Sequence, residues 1–324
     1  MKQLYPLKFN PVYSYRIWGG DKLKTILNKN YKEDSIGESW EISDVAESET
    51  TVSEGSLKGQ TLKQLIQTFK GDFVGEIVYD IFGDDFPLLI KFIDAKTPLS
   101  IQVHPSNELA KERHNSFGKN EMWYVMQAEE NAELIVGFNQ KVEQGSYIRH
   151  LDNSTLSDIL NIEKVKKGDT FYIPTGRVHA IGAGVLLAEI QQTSNITYRI
   201  YDYDRVDKKT GEKRELHTDL ALNAIDFNYY NDYGTVYSTK VNTSNKLVHS
   251  PYFKTNIINV SGTLKKDYTN LDSFVIYMCV EGSFELEYKN QKNIIKKGET
   301  ILLPACINHL KIESNQACIL EVSL

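Results

Sequence analysis

The sequence predicts a mainly β protein in which one barrel- or sandwich-like unit occurs twice, with a few short helices. Two observations lead to this fold class. Short runs rich in β-branched and aromatic residues, such as 133–138 (ELIVGF), 170–174 (TFYIP) and 273–280 (SFVIYMCV), alternate with turn residues along the chain. Many such runs at regular spacing indicate an all-β sandwich or barrel rather than a doubly wound α/β sheet. The second observation is a repeat. Gly168-Asp-Thr-Phe-Tyr-Ile-Pro174, with His179 beyond it, recurs 130 residues later as Gly298-Glu-Thr-Ile-Leu-Leu-Pro304, with His309 at the matching place. Each copy follows a lysine pair, and matches in fixed register favour two copies of one structural unit.

In each copy the glycine supplies a turn, the next residues a strand, the proline its end, and the histidine the start of another strand. Helices are expected over 62–70 (LKQLIQTFK), 154–161 (STLSDILN) and 215–225 (ELHTDLALNAI), where apolar residues fall at helical spacing. Thr61 and Ser154 are the candidate caps. Residues 208–214 (KKTGEKR) read as a charged hairpin tip. Neither GxGxxG nor GxxxxGK[ST] is present, so no phosphate-cradling glycine loop is indicated.

A chain of 324 residues has room for about two domains. The boundary expected from the repeat falls at 240, giving units over 1–240 and 241–324. A net charge of −6, pI near 5.7 and mean hydropathy of −0.39 argue against a general nucleic-acid or anionic-membrane surface. They leave room for a local basic pocket that binds a phosphorylated metabolite. The N-terminal residues lack the apolar core of a signal peptide, and no run reaches the length of a membrane span. Cys279, Cys306 and Cys318 have neither even number nor CxxC spacing. The expectation is a cytoplasmic protein with reduced, buried thiols, monomeric or weakly homo-oligomeric.

Chemistry concentrates between Lys96 and Tyr124 and at His179. Gln102 and His104 lie two apart in an extended run, as do Lys119 and Glu121. Residues i and i+2 of a strand share a face, so each pair aims two polar side chains at one place. Their neighbours Leu99, Ile101, Val103, Met122, Trp123 and Tyr124 are apolar, and polar groups in such runs are costly unless paired or metal-bound. His104, Glu121 and His179 offer two imidazoles and a carboxylate, with an amide oxygen from Gln102. This donor set suits Zn²⁺ and equally non-haem Fe(II); local hydrogen bonding of each residue is the plainer alternative. Lys119, beside a dication, would lose its proton more easily and serve as general acid or base, unless it is a solvent-exposed strand end. The second unit has no comparable set, so His309 is expected to be structural.

From Glu189 to Arg199 the sequence alternates. If it stays in strand, Glu189, Gln191, Thr193, Asn195, Thr197 and Arg199 share one face, while Ala188, Ile190, Ile196, Tyr198 and Ile200 take the other. The polar file is either a substrate wall ending in an anion-holding arginine or a solvent face. Alternation alone does not choose.

At these residues the sequence resembles type I phosphomannose isomerases, zinc enzymes of the cupin superfamily. Pro98-Leu-Ser-Ile-Gln-Val-His-Pro105 is similar to the family's signature run, Lys119-Asn-Glu121 to its Lys-x-Glu step, and Gly176-Arg-Val-His179 to its later ligand histidine. Trp18-Gly-Gly20 and Glu38-Ser-Trp-Glu41 resemble its N-terminal elements. The short link over 139–167 resembles the compact bacterial subtype. The resemblance implies two cupin-type (jelly-roll) β-barrels in tandem, the first catalytic and the second without a metal site. It implies one Zn²⁺ held by Gln102, His104, Glu121 and His179, and a phosphosugar substrate. The implied reaction interconverts mannose 6-phosphate and fructose 6-phosphate through an enediol(ate). Lys119 and Arg199 are then the catalytic candidates, and Ser100, Glu189 and Asn195 the substrate contacts. Asn195 stands where longer members carry an aspartate, so that role would pass to Glu189 or a water. A different phosphosugar isomerase, an Fe(II) dioxygenase or a non-enzymatic sugar-binding protein would share much of this pattern.

Overall fold

The computed structural model describes residues 3–324. Three antiparallel sheets account for most of it. The first runs in the order Thr170–Ile173, Glu121–Ala128, Val185–Gln192, Leu88–Ala95, Val12–Gly20, Ile36–Ile42. The second runs Tyr198–Tyr201, Ile101–Val103, His179–Ile181, Glu133–Phe138, Leu160–Lys164. In the third, Asn245–His249, Lys254–Asp267, His309–Ser323, Val275–Tyr288 and Gln291–Lys296 follow one another, and Thr300–Leu303 pairs with Val275–Tyr288. No helix among the described residues is long and apolar enough to cross a membrane.

Period-two alternation assigns each side chain its layer. In the first sheet Trp123, Val125, Ile93, Val185 and Leu187 point inward and cluster with Leu134, Val136 and Ile181 of the second sheet. The intervening residues Met122, Tyr124, Met126, Leu186, Ala188 and Ile190 point the other way. There they form one core with Ile276, Met278, Leu302, Leu320 and Val322 of the third sheet. The outer face of the second sheet is covered separately, with Ile101, Val103, Phe138, Tyr147 and Tyr198 at its centre. The third sheet, whose strands of 14 and 15 residues carry bulges, folds around its own interior of Ile258, Val275, Tyr277, Phe284 and Ile319. Bulges bend long strands enough to enclose a core of this kind.

The repeat is a structural repeat. Thr170–Ile173 pairs with Glu121–Ala128 as Thr300–Leu303 pairs with Val275–Tyr288, and both leading glycines have positive φ, 94° at Gly168 and 85° at Gly298. Ile173 lies opposite Glu121 and Leu303 opposite Val275, so the second unit has a valine where the first has its buried glutamate. His309 is largely exposed, 3.5 Å from Asp267.

Thr61 caps the helix Leu62–Phe69 with a reciprocal capping box to Gln64. The helix expected over 154–161 does not form. A helix stands just before it, at Gln144–Asp152; Ser154 has φ 56° and caps nothing, and only a single 3₁₀ turn, Leu156–Ile159, follows. Leu156 and Ile159 enter the core within that turn, and the strand Leu160–Lys164 begins at once with Leu160 in the same core. The third expected helix shortens to Thr218–Leu222. Residues 208–214 do sit at a hairpin-like tip, with Val206 bridged to Lys213 and Gly211 at φ 74°. Of the cysteines, Cys279 is buried, Cys318 partly so and Cys306 exposed; the last departs from expectation because it lies in the turn after Pro304.

Close packing explains the Trp-Gly-Gly and Gly-Glu-Ser-Trp runs. A Cβ at Gly20 would run into the Asp94 carboxylate, and one at Gly37 into the Trp18 ring. Asp94 is almost fully buried, accepts a hydrogen bond from the Lys22 amide at 2.7 Å, and is pushed by burial up to about 6. A carboxyl raised in the fold costs stability once ionised, a shift of this size corresponding to about 3 kcal/mol. That cost is complete above about pH 6 and fades as pH falls toward the unfolded value near 4. Urea midpoints should therefore rise between pH 7 and pH 5 in the wild type relative to Asp94→Asn. Parallel profiles for the two proteins would contradict this assignment.

Candidate metal centre and catalytic pocket

Strand register assembles the site. Across the second sheet, Arg199 lies opposite Gln102 and Gln102 opposite His179. Across the first sheet, Trp123 lies opposite Glu189, Glu189 opposite Lys91, and Lys91 opposite Trp40. One step along, Glu121 lies opposite Gln191. From these rows Gln102, Arg199, Trp123, Glu189, Lys91, Trp40 and Glu121 line a cavity of about 380 Å³ that also touches Arg16, Trp18, Glu38, Ser100, Lys119 and Arg214.

His104, Glu121 and His179 form a cluster that is almost completely buried. The Nδ1 of His104 donates to the Ile196 carbonyl at 3.0 Å and that of His179 to the Arg177 carbonyl at 2.8 Å. A carbonyl only accepts, so both protons are assigned to Nδ1 and both Nε2 atoms present lone pairs. Those two Nε2 atoms are 3.1 Å apart, and Glu121 places Oε2 3.4 Å from one and Oε1 3.5 Å from the other. Two lone pairs facing each other at that distance repel; the Lys119 ammonium, 3.1 Å from the His104 Nε2, can donate to that ring, and a cation held between the two rings would satisfy both. Burial lowers His104 to about 3 and lowers His179 as well, so protonation is disfavoured. Ligand atoms about 2.0–2.1 Å from a tetrahedral Zn²⁺ stand about 3.3 Å from one another, close to the observed spacing. The donor set and its geometry therefore fit a metal ion.

Lys119 is buried, with Nζ 3.1 Å from Glu121 Oε2 and 3.1 Å from His104 Nε2. Burial pulls its ammonium downward, but Glu121 and Glu189 outweigh it and the net direction is upward. The downward shift anticipated from the sequence is thus not a property of the surrounding side chains. Glu189 receives the Trp123 indole N–H at 3.0 Å and lies 3.1 Å from Lys91 Nζ; burial, with the Glu121 charge, holds its carboxyl above the usual range.

The polar file from Glu189 to Arg199 faces inward, yet it is not one strand. The first sheet releases the chain at Gln192 and the second takes it up at Tyr198. Glu189, Asn195, Thr197 and Arg199 line the cavity, Gln191 is buried beside it, and Asn195 sits exposed at the rim. The apolar file is buried as well, in the flanking cores. Arg199 donates from Nη1 to the Glu215 carbonyl at 2.7 Å, while Arg16 is paired with Glu38 at 2.8 Å. Ser100 is buried and Gln102 half-buried, both at the cavity wall.

Sequence reasoning missed Arg16, Glu38, Trp40, Lys91 and Arg214. Lys91 carried the same signal as His104, a charged residue inside an apolar strand (PLLIKFIDA), and Glu38 and Trp40 form another i,i+2 pair. Arg214 had no local signal, because the turn after Tyr201 brings it to the cavity and Asp202 holds it at 2.5 Å.

A two-sheet enclosure with an inward His–Glu–His cluster and basic walls defines a cupin-type enzyme with a candidate metal centre. The description phosphomannose isomerase type I, catalytic domain, matches residues 7–141, and mannose-6-phosphate isomerase, cupin domain, matches residues 232–322. Mannose-6-phosphate isomerase ManA of Bacillus subtilis is 34% identical over 98% of each chain, and that of Streptococcus mutans 31% identical over 96% of each. The crystal structure of the Bacillus subtilis mannose 6-phosphate isomerase superposes with a TM-score of 0.90 at 34% identity, covering 99% of this chain and 100% of that one. The chain belongs to the type I phosphomannose isomerase family.

Metal analysis checks the centre. His104→Ala, which removes one of few protein ligands, should lose both stoichiometric metal and activity. His309→Ala, on the exposed counterpart in the second unit, should retain both; full metal occupancy in His104→Ala would contradict the assigned centre.

Proposed function

We propose that the protein is a zinc-dependent aldose–ketose isomerase interconverting mannose 6-phosphate and fructose 6-phosphate. Family membership supports the reaction class. The observation that carries the site assignment is the convergence of two imidazole lone pairs and a carboxylate beside a buried lysine, within a cavity walled by Arg16, Lys91, Arg199 and Arg214. His104, Glu121 and His179, with Gln102 as fourth donor, would hold the ion. Bound Zn²⁺ supplies Lewis-acid polarisation of a substrate oxygen.

The chain's own residues supply the rest. The proton moves between C1 and C2, and Lys119 is the buried titratable group assigned to carry it: its neutral amine would take the proton from one carbon and the resulting ammonium return it to the other, with the charge of a bound dication offsetting the carboxylates that favour the ammonium. Glu121 and Glu189 keep its charge from being stranded while the substrate is outside. Arg199 orients the phosphosugar and receives negative charge; its Nε is buried without a protein partner and is available for that contact. Ser100, Glu189 and Asn195 are the proposed sugar contacts, Asn195 from the rim. Trp18, Trp123 and Leu99 close the remaining wall and keep water from the intermediate.

The decisive measurement couples formation of fructose 6-phosphate from mannose 6-phosphate to chelation and zinc restoration. Activity should vanish with the metal and return with Zn²⁺. Stoichiometric iron with oxygen uptake and no isomerisation would replace this reading with that of an oxygenase. Within the isomerase, Lys119→Met should lower kcat by about 10²–10⁴-fold while zinc is retained; unchanged turnover would assign proton transfer to another group.

A further inference from the structure

We propose that Asn107, Asn120 and Gln192 form a positioning network that sets the spacing of the metal ligands and of Lys119. None of the three touches the cavity. They act instead on the backbone behind the ligands, and the proposal rests on the metal-centre reading above.

The three ligand-bearing segments meet where the first sheet ends. Gln192 is the last residue of its strand, and its amide donates to the Asn120 carbonyl at 3.1 Å. Beyond that bond the ladder stops, because the chain turns toward the second sheet. Lys119 and Glu121 straddle this end, a place where a strand ordinarily frays. Side chains take over where backbone pairing ceases. The Gln192 Oε1 accepts from both the backbone N–H and the side-chain amide of Asn120, at 3.0 and 2.7 Å. Its Nε2 donates to Asn107 Oδ1 at 3.1 Å, and the same oxygen accepts from the Gly118 amide at 2.9 Å. On the other side Asn120 Oδ1 accepts from the Thr175 amide at 3.1 Å and from the Tyr172 hydroxyl at 3.2 Å.

Each end of this chain reaches a different ligand. Asn107 opens the helix Asn107–His114, three residues after His104. Asn120 lies between Lys119 and Glu121. Thr175 is in the turn four residues before His179, and the neighbouring Gly176 amide donates to the His104 carbonyl at 3.0 Å. A continuous run of hydrogen bonds therefore ties the backbones flanking His104, Glu121 and His179 to one another. The two amide side chains at its centre, Asn120 and Gln192, are more than nine-tenths buried. Partners one step removed from a metal fix ligand geometry, and their loss costs affinity and turnover together.

Gln192→Met keeps the volume and removes the three hydrogen bonds that the Gln192 side chain makes to Asn120 and Asn107. Asn120→Asp keeps the shape and the acceptor but removes the donor to Gln192. Asn245→Ala is the control: this buried amide holds the Lys240, Thr243 and Ile257 carbonyls in the second unit and is remote from the metal. Zinc affinity is measured by chelator competition, kcat and KM by the isomerase assay, and folding by the thermal midpoint. Both network variants should bind zinc about 10–100-fold more weakly. At saturating zinc they should retain a reduced kcat, with KM changed less than kcat. Asn245→Ala should lower the midpoint while zinc affinity and kcat stay near wild type. Zinc affinity and kcat both at the wild-type level in a folded network variant would overturn the proposal; if Gln192→Met does not fold, Asn120→Asp decides alone. Failure of the wild type to bind zinc would be a different result, directed at the metal reading itself.

Discussion

Everything in the catalytic unit follows from one electrostatic constraint: two neutral imidazoles aim their lone pairs at the same gap, 3.1 Å apart, in an environment that burial keeps unfavourable for protonation. Two backbone carbonyls, of Ile196 and Arg177, enforce that state by claiming the Nδ1 protons. Rotating either ring would free a carbonyl and bury an unpaired N–H, which costs on the order of 1–3 kcal/mol. The ligand tautomers are thus set by the main chain. Loops at 174–178 and 193–197 carry those carbonyls, which gives their conformations a chemical purpose beyond connecting strands.

The walls of the cavity obey a complementary rule. Four charged groups of the first sheet are paired with one another or with indole donors: Lys91 with Glu189, Arg16 with Glu38, Trp123 on Glu189, Trp40 on Glu38. Arg16 and Lys91, aided by the Trp40 indole, overcome the burial penalty at Glu38 and hold its carboxyl down to about 2, whereas Glu189 shares its neighbourhood with Glu121 and shifts the opposite way. Two glutamates on the same inner surface are therefore electrostatically distinct. One is an anion paired with Arg16, and the other faces Lys91 and the Trp123 indole with its carboxyl held above the usual range.

Much of this was legible in the residues. The i,i+2 pairs at 102/104 and 119/121 located the site because strand geometry translates such spacing directly into a shared face. The repeat identified which unit lacked it, and register shows why: Val275 stands where Glu121 would be. What escaped was set by tertiary contact. Alternation could not decide which file of 189–199 faced inward, since neither is simply a solvent face: the polar file runs from buried Glu189 to Asn195 at the cavity rim, and the apolar file packs into cores on either side. The misplaced helix near 154 failed for a related reason: Leu156, Ile159 and Leu160 have helical spacing, but a single tight turn buries the first two and the strand that follows at once buries Leu160. Asn120 and Gln192 looked like ordinary polar residues, because a hydrogen-bonding hub leaves no periodic trace.

The outer face of the first sheet bears on how the second unit persists. Met122, Tyr124, Met126, Leu186, Ala188 and Ile190 occupy the strands that carry Glu121 and Glu189, one residue out of phase, and they share a core with Ile276, Met278, Leu320 and Val322. Leu7 reinforces the junction by exchanging two backbone hydrogen bonds with Leu302. The second unit, which has Val275 where the first has Glu121, thus acts as a mould for the back of the sheet that carries Glu121 and Glu189. Its own interior of Ile258, Val275, Tyr277, Phe284 and Ile319 needs only to stay full, while the face it presents to the first sheet must also keep its shape. A change of volume at that shared surface therefore acts on two units at once, and reaches the strands of Glu121 and Glu189 without touching the cavity.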